Sequence, residues 1–273
     1  MEYREFKPPP DLASWVECAW ILRGAIAGDG QTILPDGRME LVFHFGNPPI
    51  VARSRQPSSL VAGQMLQAVH LQPNGRVDAM GVRLHPAASG LLLPPRLLTG
   101  SIQSMEGVLG SRANQAREQA GQSASDGERT TVVFAFLRSL HQGHAAPDAA
   151  ISHSASLIES AHGLGALDAF IPPGMQARQW QRRFLRATGL SPKAFARIAR
   201  LQRLIALYRS GQWRRWADLA LETGFYDQAH LANEFRSFSG QSPDAFFRQG
   251  RGMAEFYRDA FFQDPPPPKQ LEF

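Results

Sequence analysis

Two stretches of this chain repeat each other. FLRATGLSPKAF at 184–195 and FRSFSGQSPDAF at 235–246 share the pattern F-x4-G-x-S-P-x-A-F. The offset is 51 residues at Phe184/Phe235, Gly189/Gly240, Ser191/Ser242, Pro192/Pro243 and Phe195/Phe246. Trp180 and Leu231 keep the same register, four residues before each Phe. A recurrence of this kind marks a repeated supersecondary unit. Each copy has a physical reading. The apolar pairs Trp180/Phe184 and Leu231/Phe235 sit at i, i+4 and give a helix one buried stripe. Gly189 and Gly240 suit the left-handed position that ends a helix. Ser191-Pro192 and Ser242-Pro243 supply an N-cap Ser and a Pro in the first turn of the next helix. Upstream lie short helical runs with glycine turns, ALDAFIPPG (166–174) and ADLALETG (217–224). Helix, glycine-containing turn, helix is a helix-turn-helix pattern, and the chain carries it twice.

SPKAFARIARLQRLIALYRSG (191–211) joins the two copies. Phe195, Ile198, Leu201, Ile205 and Tyr208 form an apolar stripe at helical spacing. Arg197, Arg200 and Arg203 slope across another face, expected to be solvated. A helix of this length spans roughly 28 Å. Recognition helices about one DNA turn apart, on the order of 34 Å, enter successive major grooves from one side. Charge agrees with a polyanion partner for this half. Residues 151–250 hold 13 Lys/Arg and 7 Asp/Glu, a balance of +6, whereas the whole chain carries +5, so the remainder sums to about −1.

The first part of the chain has a different texture. WVECAWIL (15–22), MELVFHFG (39–46) and AMGVRLH (79–85) are short apolar runs separated by Gly, Pro and Asn. LPDG at 34–37 and QPNG at 72–75 are turn chemistry. Such strands at close spacing predict a small barrel or sandwich. From about Pro86 helices are expected, in PAASGLLL, in SIQSMEGVLGSRANQAREQA and in ERTTVVFAFLRSLHQG, with GQSASDGE (121–128) as a loop. The expected fold is therefore α+β in two domains. Residues 1–145 form a β-rich, barrel-like effector or dimerisation domain with helices at about 101–142. Residues 146–250 form an all-α double helix-turn-helix domain. Residues 251–273, rich in Pro, form a frayed tail.

At the residue level the C-terminal half resembles the AraC/XylS type of transcriptional regulator. ADLALETGFYDQAHLANEFRSFSGQSPDAFFR resembles the second helix-turn-helix of that family, and GMQARQWQRRFLRATGLSPKAFARIARLQR the first with its connecting helix. The likeness covers about residues 150–248. TILPDGRMELVFHFGN, VAGQM and GVRLHPAASGLLL resemble, more weakly, the sensor domains that precede such modules. The resemblance implies a β-rich effector or dimerisation domain ahead of a DNA-binding one. It also implies double-stranded DNA as partner, with a small-molecule effector and a homodimer as further expectations. The chain departs from the family at Gln176, where a capping Ser is usual, at the stiff Pro172-Pro173 turn, and at Asn233, where Arg is common.

With Trp180 and Phe184 buried, the outward positions of the first unit include Arg178, Gln181 and Arg182. Arg reads guanine and Gln reads adenine through paired hydrogen bonds. In the same register the second unit offers Ala229, Ala232 and Asn233, with Gln228 and His230 nearby. The expected base readers are thus Arg178, Gln181, Arg182, Gln228 and Asn233, the first unit carrying most of the readout. Lys193, Arg214, Arg215, His230 and Arg236 are the expected phosphate ligands. Asp227 is read as a helix N-cap, since its charge would repel phosphate. Trp213 and Trp216 are read as packing residues at a helix entry.

The competing classes are a cupin-like metal enzyme in the N-terminal half and a ligand-independent architectural DNA binder. A metal oxygenase needs clustered imidazole and carboxylate ligands. His44, His70 and His85 are scattered, without H-x-H or H-E-x-x-H spacing. G-x-S-x-G and Walker sequences are absent. The single cysteine, Cys18, excludes a disulfide framework and a multi-thiolate zinc site. No catalytic residue, metal or cofactor is therefore expected. The large non-basic N-terminal half argues against an architectural binder. Apolar runs stay well short of 18 residues, and MEYREFKPPPDL lacks the apolar core of a signal peptide, so a cytoplasmic protein without a membrane partner is expected.

Overall fold

The computed structural model describes residues 2–25, 30–92, 95–141, 146–211, 213 and 215–249. The expected tail at 251–273 lies outside the described residues. The strands are β1 (Glu2–Phe6), β2 (Val16–Ala25), β3 (Gln31–Ile33), β4 (Glu40–His44), β5 (Ile50–Val51), β6 (Ser54–Arg55), β7 (Ser59–Ala62), β8 (Val69–Leu71), β9 (Arg76–Leu84) and β10 (Ile102–Ser104). The helices are α1 (Ser89–Leu92), α2 (Pro95–Leu98), α3 (Met105–Leu109), α4 (Arg112–Gly121), α5 (Asp126–His141), α6 (Ala149–Ser160), α7 (Ala177–Thr188), α8 (Pro192–Ser210), α9 (Trp216–Glu222), α10 (Gln228–Ser239) and α11 (Pro243–Gln249). The chain is thus α+β, with a β-rich first part and an all-helical second part.

Six strands form an antiparallel sheet in the order β1-β2-β9-β4-β7-β10, and β3-β8 and β5-β6 make two small ribbons. The side-chain alternation of a strand explains why this sheet is buried on both faces. Ile21, Leu41, Phe43, Val61, Met80 and Val82 face one core, which Ala113, Ala116 and Ala120 of α4 and Val133, Phe136 and Leu137 of α5 complete. Trp20, Leu22, Val42, Leu60, Val77 and Ala79 face the other way and form a second cluster. Gly81 sits mid-strand because the Trp20 indole lies on it; a Cβ there would be 2.1 Å from the ring. The expected barrel-like domain is realised as a sheet whose outermost strands, β1 and β10, pair on one side only, with helices closing one face.

One expectation is corrected. Residues 101–120 do not form a single helix. Residues 102–104 pair with β7 as β10, and α3 and α4 follow, separated at Gly110 with φ at +78°. Three residues are too few to show strand alternation, and a glycine in that conformation ends a helix.

The helical part has its own core, in which Trp180, Phe184, Phe195, Leu231 and Phe235 are buried. Ala87 and Leu34 of the β-rich part pack into it as well. The LPDG turn docks there directly. Gln202 of α8 donates to the Pro35 carbonyl at 2.5 Å, and a Cβ on Gly37 (φ +76°) would lie 3.0 Å from the Phe195 ring. Beside it, Arg38 donates to Glu17 of β2 at 2.6 Å and to Glu159 of α6 at 2.5 Å. Burial works against the Arg38 charge, but Glu159, Glu17 and Asp36 outweigh it and its pKa is raised. No described helix is long and apolar enough to cross a membrane.

Candidate nucleic-acid interface

Both units keep the caps and reading helices that the repeat predicts, but the short helix expected within 166–174 is a single 3-10 turn, Leu167–Phe170. Gly189 and Gly240 close α7 and α10 in the left-handed conformation, at φ +77° each. The Ser191 hydroxyl accepts from the Ala194 amide at 3.1 Å and opens α8; the Ser242 hydroxyl accepts from Ala245 at 3.3 Å and opens α11. Asp227 caps α10, its carboxylate accepting from the His230 amide at 2.7 Å. Gln176 stands at the α7 N-cap in extended conformation without a side-chain cap bond.

The inner face of α7 is fixed in three places. The Trp180 indole donates to Ser154 of α6 at 2.9 Å, and Ser154 donates to the Phe170 carbonyl at 2.8 Å. Phe184 meets Trp180 and Phe195 edge-on. Arg183 binds both carboxylate oxygens of Asp148, the residue that caps α6. The outer face presents Arg178, Gln181 and Arg182, all exposed, and Arg186 extends the row by one more turn. Arg178, Arg182 and Arg186 have no acidic partner among the described residues. Arg186 is absent from the sequence-derived set, although its position eight residues after Arg178 on the same stripe is a readable signal.

The outer face of α10 carries Gln228, Ala229, Asn233 and Arg236, all exposed, while Ala232 is half-buried. Arg236 donates to the Asn233 side-chain oxygen at 3.3 Å, which sets this expected phosphate ligand beside an expected base reader. His230 is committed within its own unit. Its Nδ1 accepts from the Tyr226 amide at 3.3 Å, and its ring meets Phe225 edge-on. Lys193 is exposed in the first turn of α8. Arg215 is exposed too but pairs with Asp218 at 2.9 Å, which raises its pKa. Arg214 lies outside the described residues.

The arginines of α8 correct another expectation. Arg197 and Arg200 are not merely solvated. Arg197 holds Glu234 of α10 at 2.5 Å and lies over the Phe238 ring. Arg200 donates to the Gly163 carbonyl at 3.1 Å and lies over Phe225. Both weld α8 to its neighbours. Trp213 and Trp216 pack around Tyr208, and their indoles donate to the Tyr208 carbonyl and to Asp244. Asp244 is held below the usual carboxylate range by Arg248 and then by Trp216.

Residues 173–249 match the family described as "Helix-turn-helix domain". Residues 173–249 are thus an AraC-type helix-turn-helix domain. The module is that of a DNA-binding regulator. Residues 4–99, ahead of it, match a family described as a "Domain of unknown function (DUF6597)". No curated protein matches the chain in sequence. Solved structures of ToxT from Vibrio cholerae align with it at low identity. ToxT from strain O395 is 12% identical, with a TM-score of 0.45 over 84% of this chain and 97% of that one. The same protein bound to (E)-4-(8-methylnaphthalen-1-yl)but-3-enoic acid gives 13%, 0.45, 84% and 98%. Unsaturated fatty acid bound wild-type ToxT from strain SCE256 gives 10%, 0.43, 83% and 94%. Among the described residues, no group of three or more His, Cys, Asp or Glu could hold a metal ion.

Proposed function

We propose that the chain is a sequence-specific transcriptional regulator whose two recognition helices, α7 and α10, enter successive major grooves, with α7 as the stronger reader. On this reading the DNA-binding domain begins near residue 146. The observation that carries it is the row of Arg178, Arg182 and Arg186. Their neighbours Arg183, Arg197, Arg215 and Arg248 are each tied to a carboxylate, whereas this row is exposed with no acid partner among the described residues. Arginine heads held ready on a rigid helix suit bidentate readout of guanine.

Arg178→Ala or Arg182→Ala should cost about 1–3 kcal/mol at a cognate site and relax the preference at one base pair. Equal losses on cognate and random duplexes would refute base reading by that residue. Lys193→Ala should instead weaken binding to all duplexes and lower the salt slope by about one. Arg215→Ala should have a smaller effect, because Asp218 already neutralises that guanidinium.

A second element of the reading concerns the β-rich part. Gln31 Oε1, His44 Nε2 and both amide atoms of Gln64 are buried without a protein partner among the described residues. Buried polar atoms of this kind call for a hydrogen-bonding occupant, and a small polar effector is the one we propose. Mass spectrometry of the denatured protein after gentle purification, together with metabolite-induced thermal shifts, tests this. Absence of any stabilising metabolite from a broad panel would count against it.

A further inference from the structure

One patch of the β-rich part grips the C-terminal ends of both reading helices. The Thr99 hydroxyl donates to the carbonyl of Gly189, the residue that closes α7, at 3.0 Å. The Ala68 amide donates to the carbonyl of Phe238, in the last turn of α10, at 2.7 Å. The final carbonyls of a helix have no partner within it. Each bond therefore satisfies a group that the helix leaves open, and does so from outside the DNA-binding module.

The two donors belong to one unit. The Gly100 amide donates to the Gln64 carbonyl at 2.8 Å, and the Gly63 amide to the Ser101 carbonyl at 3.0 Å. A Cβ on Gly63 would lie 1.9 Å from the Leu98 carbonyl oxygen, so these two loops touch backbone to backbone. β7 and β10, which flank them, are paired in the main sheet. Gly90 adds a third contact, since a Cβ there would be 2.4 Å from the Arg186 carbonyl oxygen. The patch thus bridges α7 and α10 through short, mostly backbone links.

We propose that this bracket sets the relative placement of the two reading helices and so selects the spacing between half-sites, with Thr99 as a positioning residue. The proposal rests on the reading of α7 and α10 as DNA-reading helices. The connector α8 fixes how far apart the units lie. The rotation of each unit about that axis is set by what grips it: the shared helical core and the Arg197 and Arg200 contacts on the α8 side, and this bracket on the C-terminal ends of α7 and α10. Each inserted base pair moves a half-site by about 3.4 Å and turns it by roughly 35°. A bracketed pair of helices tolerates such a step poorly, and an unbracketed pair tolerates it better.

The test uses the full chain and a cognate sequence obtained by binding-site selection. Affinity is measured on a single half-site and on duplexes with two half-sites at centre-to-centre spacings of roughly 9 to 12 base pairs. The parent should prefer one spacing over its neighbours by about tenfold, and Thr99→Val should reduce that to about threefold or less without changing single half-site affinity. Thr99→Ser, which keeps the hydroxyl, should restore the parent profile. Ala68→Pro, which removes the other donor, should act like Thr99→Val. Unchanged spacing preference in both Thr99→Val and Ala68→Pro overturns the bracket, as does a Thr99→Val effect confined to half-site affinity. Failure of the underlying reading looks different: the parent itself would bind a half-site no better than random DNA.

Discussion

Arg182 and Arg197 are the same residue type on adjacent helices, with opposite fates. Arg182 points outward from α7 without an acidic partner among the described residues, whereas Arg197 is spent on Glu234. Helical periodicity suffices for the first, because Trp180 and Phe184 define the buried side. It fails for the second, because the partner lies 37 residues away in the chain. His44 illustrates a titrating residue of the same hidden kind. Burial pushes its pKa down to about 4. The unfolded chain takes up the proton first as pH falls, so stability is lost progressively between about pH 6.5 and pH 4. Between pH 7 and pH 4.5 the parent should lose about 2–3 kcal/mol more than His44→Phe. Denaturant titrations at the two pH values measure this, and parallel losses in both proteins would show that the folded protein does not depress the His44 pKa.

At the scale of elements, α6 is the support on which the first reading helix rests. Its N-cap Asp148 clamps Arg183, and its buried Ser154 receives the Trp180 indole. Ser154→Ala leaves that indole N–H buried with no acceptor, which should cost about 1–3 kcal/mol. The midpoint of urea unfolding should fall without a change in slope; a shift worth under about 0.5 kcal/mol would mean that the indole finds another partner. The repeat made α7, α8, α10 and α11 legible because caps and apolar stripes are local signals. The role of α6 was not legible, since ISHSASLIES shows nothing of which Ser meets a tryptophan. The strand at 102–104 was hidden for a related reason: its pairing with β7 is a long-range fact, and the surrounding residues have helical texture. Gly81 is a third case, explained only by the ring that lies across it from β2.

For the whole molecule, the repeat beyond about residue 150 sets a helical part apart from a β-rich one, whose own helices follow the change of texture near residue 86. These signals say nothing of how the two meet. LPDG reads as a turn, and it is one, but its place as a joint comes from α8 and α6, whose contacting residues lie more than a hundred positions away. Arg38 is the charged centre of that joint, reaching Glu17 in one part and Glu159 in the other. Arg38→Ala would leave Glu159 without its cation and Glu17 with only the more distant Arg83, which is itself paired with Asp36 and Glu40. A loss of about 1–3 kcal/mol is expected, smaller than for a fully buried pair because both glutamates keep some solvent contact. The loss should fall on the coupling between the parts. Calorimetry of the parent should show one cooperative transition, and Arg38→Ala should lower it or split it in two. Salt should weaken the joint only modestly, because the Arg38 guanidinium is largely buried although both glutamates keep some solvent contact. A variant that unfolds in one transition at the parent midpoint would show that the turn and the Gln202 bond hold the parts together without the ion pair.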